Sequence, residues 1–184
     1  MKKIIEFMNL LLVVIFLSSL LSGKLSAQNS EVNKESELYK DFTAEFAWEA
    51  KVKIGEALPV GKSKHGIRNV IPITGGTFSG PKIKGEILPV GADWQLIRPD
   101  ADTELNARYL LKTDDGYILQ VINKVLIHNS ADEPAYIKSV IDLEAPAGSP
   151  YEYLNHSIFL GTLEIPEIKP GEEPYVIIRV YRLL

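Results

Sequence analysis

Hydrophobic and polar residues alternate most regularly between Phe42 and Ile54. Every second side chain in this stretch is apolar, whereas most of those between are charged or polar. A period of two residues is typical of a β-strand with one buried and one solvated face. Thirteen residues at ~3.3 Å each span about 40 Å, a length that suits a barrel or a large curved sheet. The predicted inward face carries Phe42, Ala44, Phe46, Trp48, Ala50, Val52 and Ile54.

The stretch from Ile71 to Trp94 carries five glycines and three prolines among β-branched and aromatic residues. Glycine permits positive φ or close backbone approach, and proline fixes φ and removes a hydrogen-bond donor. The pattern predicts two strands joined by a sharp corner at Ser79-Gly80-Pro81. A bend at Gly91 would then aim the side chains of Asp93 and Trp94.

The remaining chain shows further short strands separated by turn residues. Asp114-Asp115-Gly116 predicts a tight hairpin turn, residues 58–66 a loop, and Tyr151–Asn155 one helical turn. Antiparallel chains of this kind protect their edges by closing into a barrel, and eight strands leave room for packed side chains or one small ligand. We predict an all-β fold, a single antiparallel β-barrel of about eight strands. The further strands expected are Ile67–Thr74 and the segment after Pro81, then Glu104–Thr113, Tyr117–His128, Ala135–Glu144, Ser157–Glu164 and Tyr175–Leu183.

The N-terminal residues resemble a secretory signal. Lys2 and Lys3 precede an apolar run over residues 10–21, and small residues follow up to Ala27. This order of basic, apolar and small segments predicts cleavage after Ala27 and export to the periplasm or the exterior. Residues 28–40 are polar without periodicity and predict a flexible lead-in, so the barrel domain is expected over residues 41–184.

Composition narrows the classes of partner. The chain has no cysteine, so neither disulfides nor a lipid-modified cysteine is expected. Removal of residues 1–27 takes away three lysines and one glutamate, which changes the net charge from −4 to −6. An acidic surface without a basic stripe argues against nucleic acid and anionic lipid as partners. We expect a small-molecule ligand, no stable membrane insertion once the signal is removed, and either a monomer or a homo-oligomer.

Motifs for metals, phosphates and nucleophilic catalysis are missing. The three histidines stand far apart in the sequence, and no His-Glu-x-x-His, phosphate-loop or Gly-x-Ser-x-Gly pattern occurs. Gly75, Gly76 and Gly80 do not match a dinucleotide fingerprint. We therefore expect no metal and no cofactor.

Several separated motifs resemble one family. Gly75–Trp94, Asn106–Tyr109, Lys112–Gly116 and Tyr151–Asn155 are similar, in the same order, to signatures of the domain-of-unknown-function 3237 family, also called UPF0311. The likeness runs from Phe42 to Leu184. It implies a small antiparallel β-barrel and no established activity.

Asp93 and Arg108 fall on these family motifs and define the main alternatives for a site. Periodicity places Arg108 and Asn106 on the outer, solvated side of their strand. The resemblance raises the alternative that both enter a polar cavity, where Arg108 pairs with Asp93 as a ligand anchor or as a structural clasp. We hypothesise that Asp93, Arg108 and Glu144 converge near Trp94 and Tyr153.

Further candidates come from positions that match the family. Glu144 and Asp93 are the nominated bases, provided that apolar walls raise the pKa. Arg68 could bind a carboxylate, and Asn155 could bind ligand or cap a turn. The predicted function is binding or transforming a small, partly apolar organic molecule in a central pocket. If the protein is an enzyme, the expected activity is non-metal and isomerase- or lyase-like, with a carboxylate base. The alternatives are a lipocalin-like carrier without catalysis and a structural barrel that acts through its surface. The candidate ligand-binding residues are Arg68, Trp94, Asn106, Arg108, Tyr153 and Asn155.

Overall fold

Nine β-strands and one short 3₁₀ helix form the protein from Ala44 to Leu184. The computed structural model describes residues 42–184, so the predicted signal peptide and lead-in lie outside the described residues. The 3₁₀ helix, Glu152–His156, occupies the position of the predicted helical turn. The strands are β1 (Ala44–Ile54), β2 (Leu58–Ser63), β3 (Gly66–Ser79), β4 (Lys84–Ile97), β5 (Thr103–Thr113), β6 (Ile118–His128), β7 (Tyr136–Glu144), β8 (Phe159–Glu164) and β9 (Tyr175–Leu183).

Antiparallel pairing closes the sheet into a barrel. Consecutive strands pair from β2 through β9, β9 pairs with β1, and β1 pairs with β3. The ring therefore contains eight strands, and β2 pairs with β3 outside it. This confirms the predicted all-β fold and the number of strands in the barrel. Among the described residues, no helix has the length and apolar content needed to cross a bilayer.

The first strand follows its predicted alternation only after a β-bulge. Trp48, Ala50 and Val52 are almost completely buried, as expected. The pairing of β1 with β9 shifts between Phe46 and Trp48, which inserts one extra residue at this point. Phe46 is consequently 43% exposed and packs edge-on against Tyr181 on the outer surface. The prediction that Phe42, Ala44 and Phe46 face inward was wrong.

The prediction of a loop over residues 58–66 was also wrong in part. Residues Leu58–Ser63 form β2, which pairs with β3 from Leu58–Val70 to Ser63–Gly66. The side chains of β2 are mostly exposed because the strand lies outside the ring and covers no core. A strand without a buried face has no alternation of apolar and polar residues to reveal it.

The barrel interior is filled at one end and hollow at the other. The filled half contains Trp48, whose ring contacts those of Phe78 and Phe159 at centroid distances of 6.4 and 5.9 Å. Leu111, Leu119 and other fully buried side chains complete this packing. The opposite half is bounded by the C-terminal ends of β1, β4, β6 and β8 and by the N-terminal ends of β5 and β9. Its side chains leave a cavity, which we call the lumen.

Candidate functional site

The lumen is an apolar cavity of about 390 Å³. That volume falls within the range of small-ligand pockets, about 300–1,000 Å³. Twelve of its eighteen lining side chains are Val, Ile or Leu. The polar members are Asp93, Gln95, Thr103, Tyr109 and Asn123. A few polar groups in an aliphatic wall are typical of a site that binds a partly apolar molecule.

Gly91 sets the direction of the Asp93 side chain. The register between β4 and β5 shifts between Ile87 and Gly91, and Gly91 has φ of +107°. A Cβ at this position would lie 2.1 Å from the carbonyl oxygen of Arg108, so glycine is required for the strands to approach. After this bulge, Asp93 pairs with Ala107, and both line the lumen. The predicted bend and its effect on Asp93 agree with this geometry.

The carboxyl group of Asp93 is largely removed from water. Burial raises its pKa above the ordinary value, while hydrogen bonds from the Asn106 backbone and the Gln95 side chain oppose that shift. The Asn106 backbone N–H donates to Asp93 Oδ1 over 2.8 Å. This hydrogen bond fixes one oxygen against the wall. A carboxylate whose pKa is raised in this way is a stronger base than an ordinary aspartate.

Tyr109 and Asn123 add two further polar groups to the same wall. Burial raises the pKa of the Tyr109 phenol well above its ordinary range, so the group is an O–H donor at neutral pH. Asn123 is 1% exposed, and its Oδ1 accepts no hydrogen bond from any described residue. Buried side-chain amides normally have partners, so this orphaned oxygen requires an explanation.

A second depression lies on the outer surface, across β3, β4, β5 and β6. It has a volume of about 450 Å³ and is lined by Arg68, Trp94, Asn106 and Lys124, among others. Arg98 borders it, but its guanidinium already pairs with Asp100 and Glu104. The residues that line this outer groove lie mostly on the solvated face of the sheet, although buried Leu105 and Val125 contribute to both the groove and the lumen.

No group of three potential metal ligands occurs among the residues that the structure describes. His128 Nδ1 lies 2.6 Å from Asp102 Oδ1, and both residues stand on the surface near the open end of the barrel. Two such groups alone do not form a metal-binding set. Asp93 and Tyr109 are ionisable groups of the lumen wall that can form hydrogen bonds with a molecule inside it.

Comparison with known proteins places the chain in a family. A sequence model described as "Protein of unknown function (DUF3237)" matches residues 42–183. The chain belongs to the DUF3237 family. A UPF0311 protein of Rhodopseudomonas palustris strain TIE-1 is 35% identical over 122 residues, which cover 60% of this chain and 80% of the relative.

Solved structures of similar proteins support the barrel fold of this family member. A β-barrel-like protein from Acinetobacter baumannii is 31% identical with a TM-score of 0.68, covering 78% of this chain and 96% of the other. A conserved protein of unknown function from Rhodopseudomonas palustris is 29% identical with the same TM-score. It covers 78% of this chain and 98% of the other. Neither description names an activity or a ligand.

The predicted convergence of Asp93, Arg108 and Glu144 is not found in this family member. Asp93 lines the lumen, whereas Arg108 and Glu144 are exposed on the outer faces of β5 and β7. Arg108 pairs in register with Ala92 and Ile122, which alternate with the lumen-facing residues of their strands. The periodicity of β5 was therefore correct, and the interior placement of Arg108 and Asn106 was wrong. A buried Asp–Arg pair does not form.

Three of the predicted ligand-binding residues share the outer groove. Arg68, Trp94 and Asn106 all line it, and Trp94 is 42% exposed. Their side chains are separated from the lumen by the barrel wall. Asn106 reaches Asp93 through its backbone N–H and not through its side chain. Asp93 and Trp94 are neighbours in the sequence, but Asp93 lies on the lumen face of the sheet and Trp94 lies on its outer face.

Tyr153 and Asn155 belong to the 3₁₀ helix, at the filled end of the barrel. Asn155 Oδ1 accepts the Ala145 N–H over 2.7 Å, and Asn155 Nδ2 donates to the Ala145 carbonyl over 2.9 Å. This two-point contact holds the chain after β7, which agrees with the turn-capping alternative. The Tyr153 ring packs beside Arg182, with 6.0 Å between the guanidinium carbon and the ring centroid. Neither residue lines the lumen.

Sequence reasoning missed four polar residues of the lumen, Gln95, Thr103, Tyr109 and Asn123. A signal for Asn123 was present, because it interrupts the inward series Leu119, Val121, Val125 and Ile127. Tyr109 follows Arg108 and therefore falls on the opposite, inward face of β5, but it was not considered as a functional group. Gln95 is two residues after Asp93 and therefore shares its face.

Proposed function

We propose that the protein binds a small, partly apolar organic molecule in the lumen and that Asp93 is its principal polar contact. The observation that supports this most is a cavity with twelve aliphatic side chains and a carboxyl group whose pKa is raised by burial. A cavity lined in this way releases water when an apolar molecule enters, which favours binding. The raised pKa gives Asp93 the acid–base properties expected of the enzyme alternative.

The carrier alternative also has structural support. Asp93 and Tyr109 are the only ionisable side chains among the described residues that line the lumen. A carrier needs one or two polar anchors in an apolar wall, and this set satisfies that need. The two alternatives differ in outcome, because a carrier returns its ligand unchanged. Mass spectrometry of small molecules released from protein purified from its native host, before and after prolonged incubation, separates them.

Binding in the lumen is tested with the neutral fluorophore N-phenyl-1-naphthylamine. We expect saturable fluorescence enhancement with the native protein. Ala107→Phe adds a ring to the wall of the cavity, takes up part of its volume and should abolish the signal. Ala44→Phe is the matched control, because Ala44 is exposed at the start of β1, and it should bind as the native protein does. Circular dichroism establishes that both variants are folded.

Two results would count against the proposal. One is the lack of saturable binding by the native protein. The other is equal affinity of native protein and folded Ala107→Phe, since the fluorophore would then occupy another site such as the outer groove.

A further inference from the structure

Three polar side chains surround Ala107 on the wall of the lumen. Asp93 pairs with Ala107 across β4 and β5, and Ala107 pairs with Asn123 across β5 and β6. The Cα atoms of Asp93 and Asn123 therefore lie about 10 Å apart, twice the spacing between strands. Tyr109 follows two residues after Ala107, about 7 Å further along the same face. The methyl group of Ala107 leaves open space between the three polar groups.

The amide of Asn123 is the unexplained member of this set. It is nearly inaccessible from outside, and its Oδ1 lacks a partner among the described residues. A buried amide oxygen without a donor opposes folding. Turning the amide by 180° exchanges its oxygen and nitrogen, so that the NH₂ takes this place and can donate to an acceptor of a bound molecule. Because amide orientation is set by the partner, the group can present either its oxygen or its NH₂ to that molecule.

The charges of the wall restrict the class of molecule. No Lys, Arg or His lines the described lumen, so an anionic head group has no cation to pair with. Tyr109 and the Asn123 amide can both donate hydrogen bonds, which a carbonyl oxygen accepts. A carboxylate on the other side of Ala107 can take a proton from the carbon beside such a carbonyl. An amine would satisfy Asp93 but would leave both donors unused.

We propose that the lumen takes neutral, mainly aliphatic molecules with one carbonyl group, and that Asp93 transfers a proton to and from the carbon next to it. This inference rests on the proposed function, because it requires a ligand in the lumen. Tyr109 and Asn123 hold the carbonyl oxygen.

The proposed step is redox-neutral. The Asp93 carboxylate accepts the proton, and the electron pair of the broken C–H bond forms a C=C bond. The π electrons of the carbonyl move to its oxygen, where the Tyr109 O–H and the Asn123 amide N–H stabilise the negative charge. Return of the proton from the Asp93 carboxyl group, to the same or to a conjugated carbon, regenerates the carboxylate. No oxidant, reductant or further reactant is needed.

The experiment uses three probes of one shape: 4-tert-butylcyclohexanone, 4-tert-butylcyclohexanol and 4-tert-butylcyclohexylamine. Their affinities are measured by displacement of N-phenyl-1-naphthylamine. Proton–deuterium exchange beside the ketone carbonyl is followed by NMR in deuterated buffer. We expect the ketone to bind best and its exchange to exceed the buffer rate. The enzyme-dependent rate should rise with pH as Asp93 ionises and then level off, since the carboxylate is the base.

Variants separate the roles of the residues. Asp93→Asn should retain ketone binding but lower exchange by at least about 100-fold, the usual contribution of a general base. Tyr109→Phe should slow exchange by about 10-fold or more, because it removes one donor to the developing oxygen charge. Asn123→Leu keeps a similar volume and removes the orphaned amide. If Asn123 positions the carbonyl, this variant should be more stable than the native protein yet bind the ketone more weakly.

Several outcomes would overturn the inference and leave lumen binding intact. They are ketone binding without exchange above the buffer rate, equal exchange by native protein and folded Asp93→Asn, and preferential binding of the amine. Displacement of the fluorophore by none of the three probes also overturns the carbonyl class. Failure of the proposed function has a different signature, since the fluorophore itself would then not bind.

Discussion

The bulge in β1 leads to opposite effects for two neighbouring aromatic residues. Trp48 is 2% exposed and packs against Phe78 and Phe159, whereas Phe46 is 43% exposed and contacts Tyr181 on the outer surface. Truncating a buried tryptophan to alanine removes its contacts and leaves a cavity, which typically costs about 3–5 kcal/mol. Trp48→Ala should therefore lower the free energy of unfolding by that amount.

The matched substitution Phe46→Ala should cost only about 1 kcal/mol. Half of the ring is already in water, so the loss is part of the apolar burial and one edge-to-face contact. Urea unfolding followed by far-UV circular dichroism gives both free energies. In thermal unfolding, Trp48→Ala should lower the Tm by roughly 10–20 °C.

Equal losses in the two variants would refute this reasoning, because an uninterrupted strand buries both rings. A larger loss for Phe46→Ala would place the register shift elsewhere. Equal m-values in the two variants and the native protein are needed to attribute the difference to the folded state.

Three more predictions concern Asp93, the β4 bulge and the N-terminus. Burial raises the pKa of Asp93, so the folded state keeps its proton to higher pH than the unfolded state. The free energy of unfolding should therefore fall as pH rises from about 4 through the pKa of the folded state. The fall should be about 1.4 kcal/mol for each tenfold difference in proton affinity between the folded and unfolded states. Urea titrations at several pH values should show this fall for the native protein but not for Asp93→Asn. Identical pH profiles would contradict it. Gly91→Ala should lower the free energy of unfolding by more than about 2 kcal/mol, because the new Cβ meets the Arg108 carbonyl. Gly116→Ala has open space around it and should cost about 1 kcal/mol. Equal losses in the two variants would count against the close approach at Gly91. Mass spectrometry of mature protein from the native host should find Gln28 first, and an intact N-terminal methionine in a membrane fraction would contradict export.

Most of the fold could be predicted because most strands cover the interior on one face only. The bounds predicted for the last strand, residues 175–183, coincide with those of β9, and Gly80 and Gly116 mark two of the turns. The bulge beside Ala47 could not be predicted from the sequence, because Phe46 and Trp48 are both aromatic and both fit an inward position. β2 escaped detection for the opposite reason, because it covers no core.

The candidate site was harder to predict because polar side chains face a hollow interior, so the apolar positions of a strand no longer mark its inward face. From Ala92 to Ile97, the more apolar alternate positions are Ala92, Trp94 and Leu96, yet Asp93 and Gln95 face the lumen. Packed cores exclude such side chains, but a ligand cavity requires them. The resemblance to the family drew attention to Asp93, which lines the lumen. It also suggested an interior position for Arg108, although the alternation of apolar and polar residues along β5 had placed that residue outside.

The hydrogen bond from the Asn106 backbone to Asp93 makes the barrel wall sensitive to what the lumen contains. Ladder pairs between β4 and β5 are present at Asp93–Ala107 and at Leu96–Glu104, and the described residues show none between them. The carboxylate itself closes this gap in the wall. A molecule that draws the Asp93 carboxylate away would leave the Asn106 backbone N–H without its acceptor. The exchange rate and chemical shift of that single amide would then report occupancy of the interior from outside the barrel.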